Sequence, residues 1–227
     1  MSPAPLIALI DGPLAADTPG LTARTGICDL HPRAAESPAA QHASHMAAAI
    51  RSNAPEARLL NLAIFPGRLA TSLATVAKAL HRAAESEAAV IHCSFGHTDA
   101  SPLLTDAVAA VLQAGKLLVA SAPARGAPVF PAACSGVLSV QGDARCTPGQ
   151  WSRLDQPGAH FGACPGGPDM PVRGASLAAA HFTGLLARAR MNGGVKEFLQ
   201  IPAFTGRERI GLPPGPAPLF HTPTADR

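Results

Sequence analysis

The sequence lacks the features that mark membrane, exported and nucleic-acid-binding proteins. No apolar run is long enough to span a bilayer, and the N-terminus has no basic segment followed by the apolar core and cleavage site of a secretory signal. The net charge is only +3, and the lysines and arginines are scattered along the chain. Scattered basic residues argue against a nucleic-acid surface. We therefore expect a cytoplasmic protein that binds neither nucleic acid nor membrane.

Metal-binding and dinucleotide-binding signatures are also missing. The five cysteines form no Cys-x-x-Cys pair, and their odd number in a cytoplasmic chain favours free thiols. His42 and His45 lie three apart on one predicted helix face, but no glutamate separates them and no third ligand is evident. No glycine-rich turn with dinucleotide-binding spacing joins a strand to a helix. We predict no metal site and no cofactor.

The remaining pattern is an alternation of apolar runs with helical periodicity. With 227 residues, of which 47% are hydrophobic, the chain can bury one substantial core. Continuous apolar strands that alternate with helices predict an α/β fold, in which helices cover both faces of a mostly parallel sheet. Predicted strands cover residues 6–10, 57–65, 88–95, 116–122 and 136–142, and predicted helices cover residues 42–52, 71–87, 103–114 and 176–191.

Two segments do not fit this alternation. Residues 144–172 are rich in glycine and proline and are predicted to form a surface loop region. From Gly211 onward, the proline content excludes a helix or a central strand. We predict a single domain over residues 1–203 and a proline-rich tail over residues 204–227.

Three polar residues lie at predicted strand or helix ends, where parallel sheets place their active sites. They occur in the order Asp11, His42, Ser176, which is one of the known orders of a catalytic triad. Serine needs a base to become a nucleophile, imidazole is that base near neutrality, and a carboxylate fixes the imidazole tautomer. Taken singly, Asp11 could equally cap a turn, and the position of Ser176 is explained more simply by a cap on its helix.

The blocks around these residues resemble those of the subtilisin-like serine proteases, the subtilases. LIALIDGP resembles the aspartate block, QHASHMAAAI the histidine block HGTHVAG, and GASLAAAHFTG the serine block GTSMASPHVAG. VIHCSFG resembles the strand whose S-x-G segment lines the substrate cleft. LLVASAPARG resembles the strand that leads to the oxyanion-hole asparagine, and VFPAACSGVLSVQG the strand pair that follows it. The blocks occur in order over roughly residues 5–190, which implies the subtilisin-like three-layer sandwich.

The resemblance implies a role for each matching residue. Ser176 is the implied nucleophile, His42 the general base and Asp11 the residue that orients it. The oxyanion hole would comprise the Ser176 N–H with donors near Ala124 and Arg125. The implied substrate-binding residues are Ser94, Phe95, Gly96, Ala120, Ser121 and Ala122, which suggest an apolar cleft. His181 matches a histidine that is common in the family's helix, and we interpret it as a packed core residue.

The sequence departs from the family at the oxyanion hole. Ala124 stands where the asparagine is expected, and alanine has no side-chain donor. Loss of that donor in subtilisin itself costs about 2.7–4 kcal/mol, and Arg125 is the candidate substitute. Acidic calcium-binding loops are not visible, so we expect no calcium requirement. We also expect no inhibitory pro-domain ahead of the first strand in this chain.

Two functions from different classes remain open. The first is a serine endopeptidase of narrow specificity that cuts a precursor peptide or protein. The Asp-Gly-Pro variant of the aspartate block is more similar to the maturation proteases of ribosomal-peptide (cyanobactin-like) pathways than to secreted subtilases. The second is a pseudo-protease that binds a peptide or partner protein, which the missing asparagine and the proline-rich tail favour.

Overall fold

The protein is described by a computed structural model over residues 4–31, 33–167 and 172–207. Within these ranges the strands are β1 Leu6–Asp11, β2 Leu21–Gly26, β3 Arg58–Ala63, β4 Val90–Cys93, β5 Leu117–Ser121, β6 Leu138–Gly142, β7 Trp151–Gln156, β8 Ala159–Ala163 and β9 Phe204–Thr205. They form a nine-stranded sheet with the order β2-β3-β1-β4-β5-β6-β8-β7-β9. The α-helices are α1 Pro38–Asn53, α2 Leu73–Glu85, α3 Pro102–Gln113, α4 Ala175–Met191 and α5 Val195–Phe198.

The sheet is parallel except where β7 pairs with β8. This confirms the predicted mostly parallel α/β sheet. Parallel neighbours need crossover connections, and α1, α2 and α3 lie in the connections that lead into β3, β4 and β5. The carboxyl ends of the central strands therefore meet at one edge, where a site can be assembled.

Side-chain alternation divides the core into two layers. In β1, Ile7 and Leu9 pack with α1 and α4, whereas Ala8 and Ile10 pack with α2 and α3. Successive strand residues point to opposite faces, so Asp11 continues the series of Ile7 and Leu9 towards α1 and α4. The face on which a polar residue of β1, β3 or β4 lies thus follows directly from its position in the strand.

Two glycines allow close approach on the α1–α4 face. A Cβ atom on Gly12 would lie 2.0 Å from the backbone oxygen of Ala39 in α1. A Cβ atom on Gly184 in α4 would lie 2.2 Å from the backbone oxygen of Ile50. Any larger residue would force the elements apart, so these glycines set how closely α1 approaches the end of β1 and the α4 helix.

Three strand regions were not predicted, of which the shortest is β9, Phe204–Thr205. The segment predicted as a surface loop, residues 144–172, contains the antiparallel hairpin of β7 and β8, with Trp151 buried in the core. The prediction was wrong because the glycines and prolines on either side masked two short strands, one of them with a register shift. β2 was also missed, since this edge strand is largely exposed and has no apolar run.

One helix begins earlier than predicted, and the sheet continues past residue 203. Helix α1 begins at Pro38, four residues before the predicted start, because Ser37 caps it by accepting the Ala40 N–H. The domain boundary after residue 203 stays a prediction, although Phe204 and Thr205 form β9 and pair with β7. The expectation for the tail from Gly211 onward lies outside the described residues.

Two further expectations concern the oxidation state of the cysteines and membrane-spanning segments. All five cysteines are free thiols, as their odd number suggested. No helix in the described ranges combines the length and the apolarity needed to cross a bilayer.

Candidate active site

Asp11 lies at the carboxyl end of β1 and is completely buried. One carboxylate oxygen accepts the N–H of Gly12 at 2.7 Å. The two oxygens lie 2.9 and 3.0 Å from Nδ1 of His42. The turn-capping role and the histidine-binding role are therefore both filled by the same carboxylate.

His42 lies in the second turn of α1, opposite Asp11. The close approach of α1 to Gly12 brings the imidazole against the carboxylate, and its side chain remains 19% exposed. With the Nδ1–H donated to Asp11, the lone pair on Nε2 is the one free to accept a proton. This is the tautomer that a general base needs.

Burial and pairing act in opposite directions on these two groups. Burial raises the pKa of the Asp11 carboxyl, although the hydrogen bond and charge of His42 and the Gly12 N–H oppose that shift. Burial alone would lower the pKa of His42, but the hydrogen bond and charge of Asp11 outweigh it, so the pKa rises above 6.5. The pair thus strengthens His42 as a base.

Ser176 is the second residue of α4, in the turn where backbone N–H groups have no acceptor within the helix. Gly174 immediately before the helix has φ of 149°, a conformation that residues with a side chain rarely adopt. The Ser176 hydroxyl donates to the backbone oxygen of Ser94 at 3.2 Å. In the described part of the chain, no hydrogen bond joins this hydroxyl to His42.

The segment Ser94–Phe95–Gly96 follows β4 directly. Ser94 is buried, Phe95 is half-buried and Gly96 is exposed. Phe95 packs edge-to-face on Phe65, with ring centroids 6.1 Å apart. A pocket of about 140 Å³ opens here between the first turns of α2 and α3. Its lining is mainly apolar and includes Phe65, Leu73, Val76, Phe95, Gly96 and Leu104.

The predicted residues in and after β5 do not line this pocket. Ala120 and Ala122 at the end of β5 are buried in the α2–α3 core, and Ser121 is 8% exposed. Ala124 and Arg125 are exposed in the loop that follows β5 and line a separate depression of about 230 Å³. Neither hydrogen-bonds to Asp11, His42 or Ser176, so their assigned roles stay predictions.

Two further histidines, His92 and His181, are buried. His181 accepts a hydrogen bond from Asn53 at 3.1 Å and lies 3.1 Å from the backbone oxygen of Gly166, so its interpretation as a packed core residue is confirmed. His92 in β4 contacts Ser94 and Thr183, and the sequence analysis assigned it no role. The signal for it was a lone histidine inside an apolar strand.

The described residues contain no group of three histidine, cysteine, aspartate or glutamate side chains arranged to hold a metal ion. His45 lies half-buried on α1, one turn beyond His42. The expectation that the protein needs no metal stays a prediction.

Comparison with known proteins identifies the fold. The structure of the prenylagaramide maturation protease PagA matches with a TM-score of 0.61 and 21% sequence identity, over 84% of this chain and 78% of that chain. A serine-to-alanine mutant of the protease domain of PatA matches with a TM-score of 0.62 and 22% identity, over 85% and 82%. No protein-family model and no curated protein sequence matches the chain.

These two likenesses confirm the predicted fold class, because both neighbours are proteases with subtilisin-like architecture. The chain therefore has the subtilisin-like α/β fold. At this level of identity the likeness establishes the fold alone, and the chemistry has to be argued from the residues of this chain.

Proposed function

We propose that the protein is a serine endopeptidase of narrow specificity that cuts a precursor peptide or protein. The observation that carries this proposal is the buried Asp11 carboxylate bound to Nδ1 of His42, at the end of the sheet where α4 presents Ser176. A buried carboxylate paired with a partly exposed imidazole is costly for stability but suits a general base.

The proposed reaction follows the acyl-transfer sequence of serine proteases. Ser176 Oγ attacks the carbonyl carbon of the scissile bond while its proton passes to Nε2 of His42. The C–N bond then breaks as the leaving amine takes that proton, which leaves an acyl-enzyme. A water that gives its proton to His42 then attacks the acyl carbon, and the bond from that carbon to Ser176 Oγ breaks as Oγ takes the proton back from His42, which releases the acid. Before the first step, the Ser176 hydroxyl has to turn from the Ser94 carbonyl towards His42.

The oxyanion would be bound at the amino end of α4. The Ser176 N–H lies in the first helical turn, where free N–H groups and the helix dipole favour negative charge. Ala124 supplies no side-chain donor, and we propose Arg125 as the second one. Arg125→Ala should then slow acylation of Ser176 by about 10²-fold. An unchanged rate, with Arg125→Lys as the charge-preserving control, would remove Arg125 from the mechanism.

The substrate class is supported by the pocket and by the structural neighbours. The apolar pocket beside Phe95 and Gly96 would accept an apolar side chain of an extended peptide. Both solved neighbours are proteases, and PagA is described as a maturation protease for prenylagaramide. We therefore propose a precursor peptide as substrate rather than unfolded protein in general.

The experiment is labelling with a fluorophosphonate, which reacts only with an activated serine. The wild type should be labelled stoichiometrically, Ser176→Ala should not be labelled, and His42→Ala should be labelled far more slowly than the wild type. His45→Ala is the matched control, since it removes a half-buried histidine from the same helix. Ser101→Ala is the control for serine loss, because its side chain makes no capping hydrogen bond to α3. Both controls should be labelled like the wild type.

A binding protein without catalysis is the second candidate. Its specific support is the Ser176 hydroxyl, which hydrogen-bonds to Ser94 rather than to His42, together with the exposed alanine at position 124. A folded wild-type protein that is not labelled would favour this second function. Capture of a peptide by the wild type and by Ser176→Ala alike would then be the next observation to seek.

A further inference from the structure

His92 occupies a central position under the candidate site. It lies in β4, where it is in register with Leu9 of β1 on one side and with Val119 of β5 on the other. Its side chain is fully buried. Its neighbours in sequence, Ile91 and Cys93, belong to the α2–α3 core, so the imidazole points to the opposite face, towards α1 and α4.

The hydrogen bonds of His92 define which ring nitrogen carries the proton. Nδ1 lies 2.8 Å from the hydroxyl of Thr183. That hydroxyl donates its own hydrogen to the backbone oxygen of Ala179 at 2.8 Å, so it can only accept from His92. Nδ1 therefore carries the hydrogen, and the unprotonated Nε2 accepts the hydroxyl hydrogen of Ser94.

The imidazole stays in this neutral form over the working pH range. Burial, and secondarily the charge of His42, lower the pKa of His92 to about 3. A neutral imidazole with one donor and one acceptor matches its two partners, whereas a protonated ring could not accept from Ser94. No buried side-chain nitrogen or oxygen in the described residues is left without a partner.

The contacts of His92 connect two points on helix α4. Thr183, which binds Nδ1, and Ser176 are seven residues apart, which is about two helical turns, so they lie on one face of the helix. Ser94, which binds Nε2, accepts the Ser176 hydroxyl with its backbone oxygen at 3.2 Å. His92 and Ser94 together therefore tie the first turn of α4 and its third turn to the same strand.

We propose that His92 is a positioning residue, which holds Ser94 between the imidazole and α4 and so fixes the place from which the Ser176 hydroxyl turns to His42. This inference rests on the proposed function, since it concerns the nucleophile of that reaction. His92 itself touches neither the substrate nor the reacting atoms. His92 would affect Ser176 only through its hydrogen bond to Ser94, so the test has to separate this contact from the packing of the imidazole.

The test measures the second-order rate constant for fluorophosphonate labelling of Ser176. His92→Leu fills similar space but can neither donate nor accept, and it should lower the rate by roughly 10- to 100-fold, as expected when a reacting group is misplaced. His92→Gln keeps one donor and one acceptor and should recover most of the rate. Ser139→Ala is the matched control, because it breaks another serine–histidine pair, with His160. The next residue, Val140, belongs to the α1–α4 core, so the Ser139 side chain lies on the opposite face of the sheet from α4.

A double-mutant cycle separates positioning from simple packing. In a Ser94→Ala background, His92→Leu should change the labelling rate little, because its route to Ser176 is already cut. Equal losses in both backgrounds would overturn the inference. If His92→Leu does not fold, Thr183→Val takes its place in the cycle. This variant removes the hydroxyl that accepts the Nδ1–H of His92 and leaves a side chain of similar size at the same buried position.

The two proposals fail in different ways. A labelled wild type with an equally reactive His92→Leu variant would overturn the positioning role and leave the proposed protease intact. A folded wild type that is not labelled would overturn the protease, and the positioning role with it.

Discussion

The two faces of the central sheet are built from the same three strands but differ in what they bury. Towards α2 and α3, strands β1, β3 and β4 present apolar side chains such as Ile10, Leu62 and Ile91. Towards α1 and α4, the same strands present Asp11, Asn61 and His92, all fully buried. Both faces bury apolar side chains, and the α1–α4 face does so with Ile7, Leu59 and Val90. Only the α1–α4 face adds these three buried polar groups, whose hydrogen bonds fix a precise arrangement.

Burying polar groups on the α1–α4 face costs free energy unless each group finds a hydrogen-bond partner. Asn61, for example, accepts the Leu14 N–H at 2.9 Å and donates to the backbone oxygens of Leu9 and Gly12 at 3.3 and 3.1 Å. These bonds fix the turn that follows Asp11. Buried polar groups with complete hydrogen bonding define one geometry, which is the property a catalytic site requires.

The largest effect should come from the charge at the end of β1. Asp11→Asn keeps the shape but removes the carboxylate that holds the Nδ1–H of His42, and the equivalent change in a serine protease costs about 10⁴-fold in kcat. We expect a similar loss in the labelling rate of Ser176, with the far-ultraviolet circular dichroism unchanged. Labelling within tenfold of the wild type, an order-of-magnitude margin, would contradict the role of the pair.

A substitution on the α2–α3 face should lower the stability of the protein but leave the labelling rate of Ser176 unchanged. Ile91→Ala removes a fully buried side chain from the α2–α3 core and should lower the free energy of unfolding by about 2–5 kcal/mol. The folded fraction should still be labelled at the wild-type rate. Urea unfolding measured together with labelling tests this, and His92→Leu at the adjacent position provides the contrast. If Ile91→Ala were labelled slowly but unfolded at the same urea concentration as the wild type, the proposed difference between the two faces would be wrong.

The close contact between α1 and α4 should couple stability to reactivity. Gly184→Ala places a Cβ atom 2.2 Å from the Ile50 oxygen, and overpacking of this kind costs about 1–3 kcal/mol. Because α1 carries His42 and α4 carries Ser176, the labelling rate of the folded protein should fall as well. Gly149→Ala is the control, since no atom lies within 4 Å of its added Cβ. A stable and fully reactive Gly184→Ala would be inconsistent with this contact.

The smallest effect is a shift in pH dependence. His42 must be neutral to accept a proton, so labelling should slow as the pH falls through its pKa. The hydrogen bond and charge of Asp11 raise that pKa, which places the midpoint above 6.5. Asp11→Asn removes the charge that raises the pKa, while burial still lowers it, so the His42 midpoint should fall, as measured by NMR titration. A midpoint that Asp11→Asn leaves in place would show that the carboxylate does not set the pKa.

Much of this arrangement could be predicted from the sequence because it depends on local pattern. Apolar runs indicated the central strands, and the blocks around Asp11, His42 and Ser176 indicated the candidate triad. The exposed edge strand β2 and the β7–β8 hairpin were not predicted, since neither has a continuous apolar run.

Other features depend on contacts between residues that are far apart in the chain. The bond from Ser176 to Ser94 spans 82 residues, and that from His92 to Thr183 spans 91. No local pattern encodes which hydroxyl meets which acceptor across such separations. The resemblance implies that Ala120 and Ala122 belong to the cleft, which stays a prediction, and the structure places both side chains in the α2–α3 core.

The central claim is that Asp11, His42 and Ser176 act as one unit, and a double-mutant cycle tests it most directly. The measurement is the fluorophosphonate labelling rate of Ser176 in the wild type, Asp11→Asn, His42→Ala and the double variant. Members of one catalytic unit are strongly non-additive, so the double variant should be no slower than His42→Ala alone. If the two losses multiply instead, Asp11 and His42 act independently and the account is wrong.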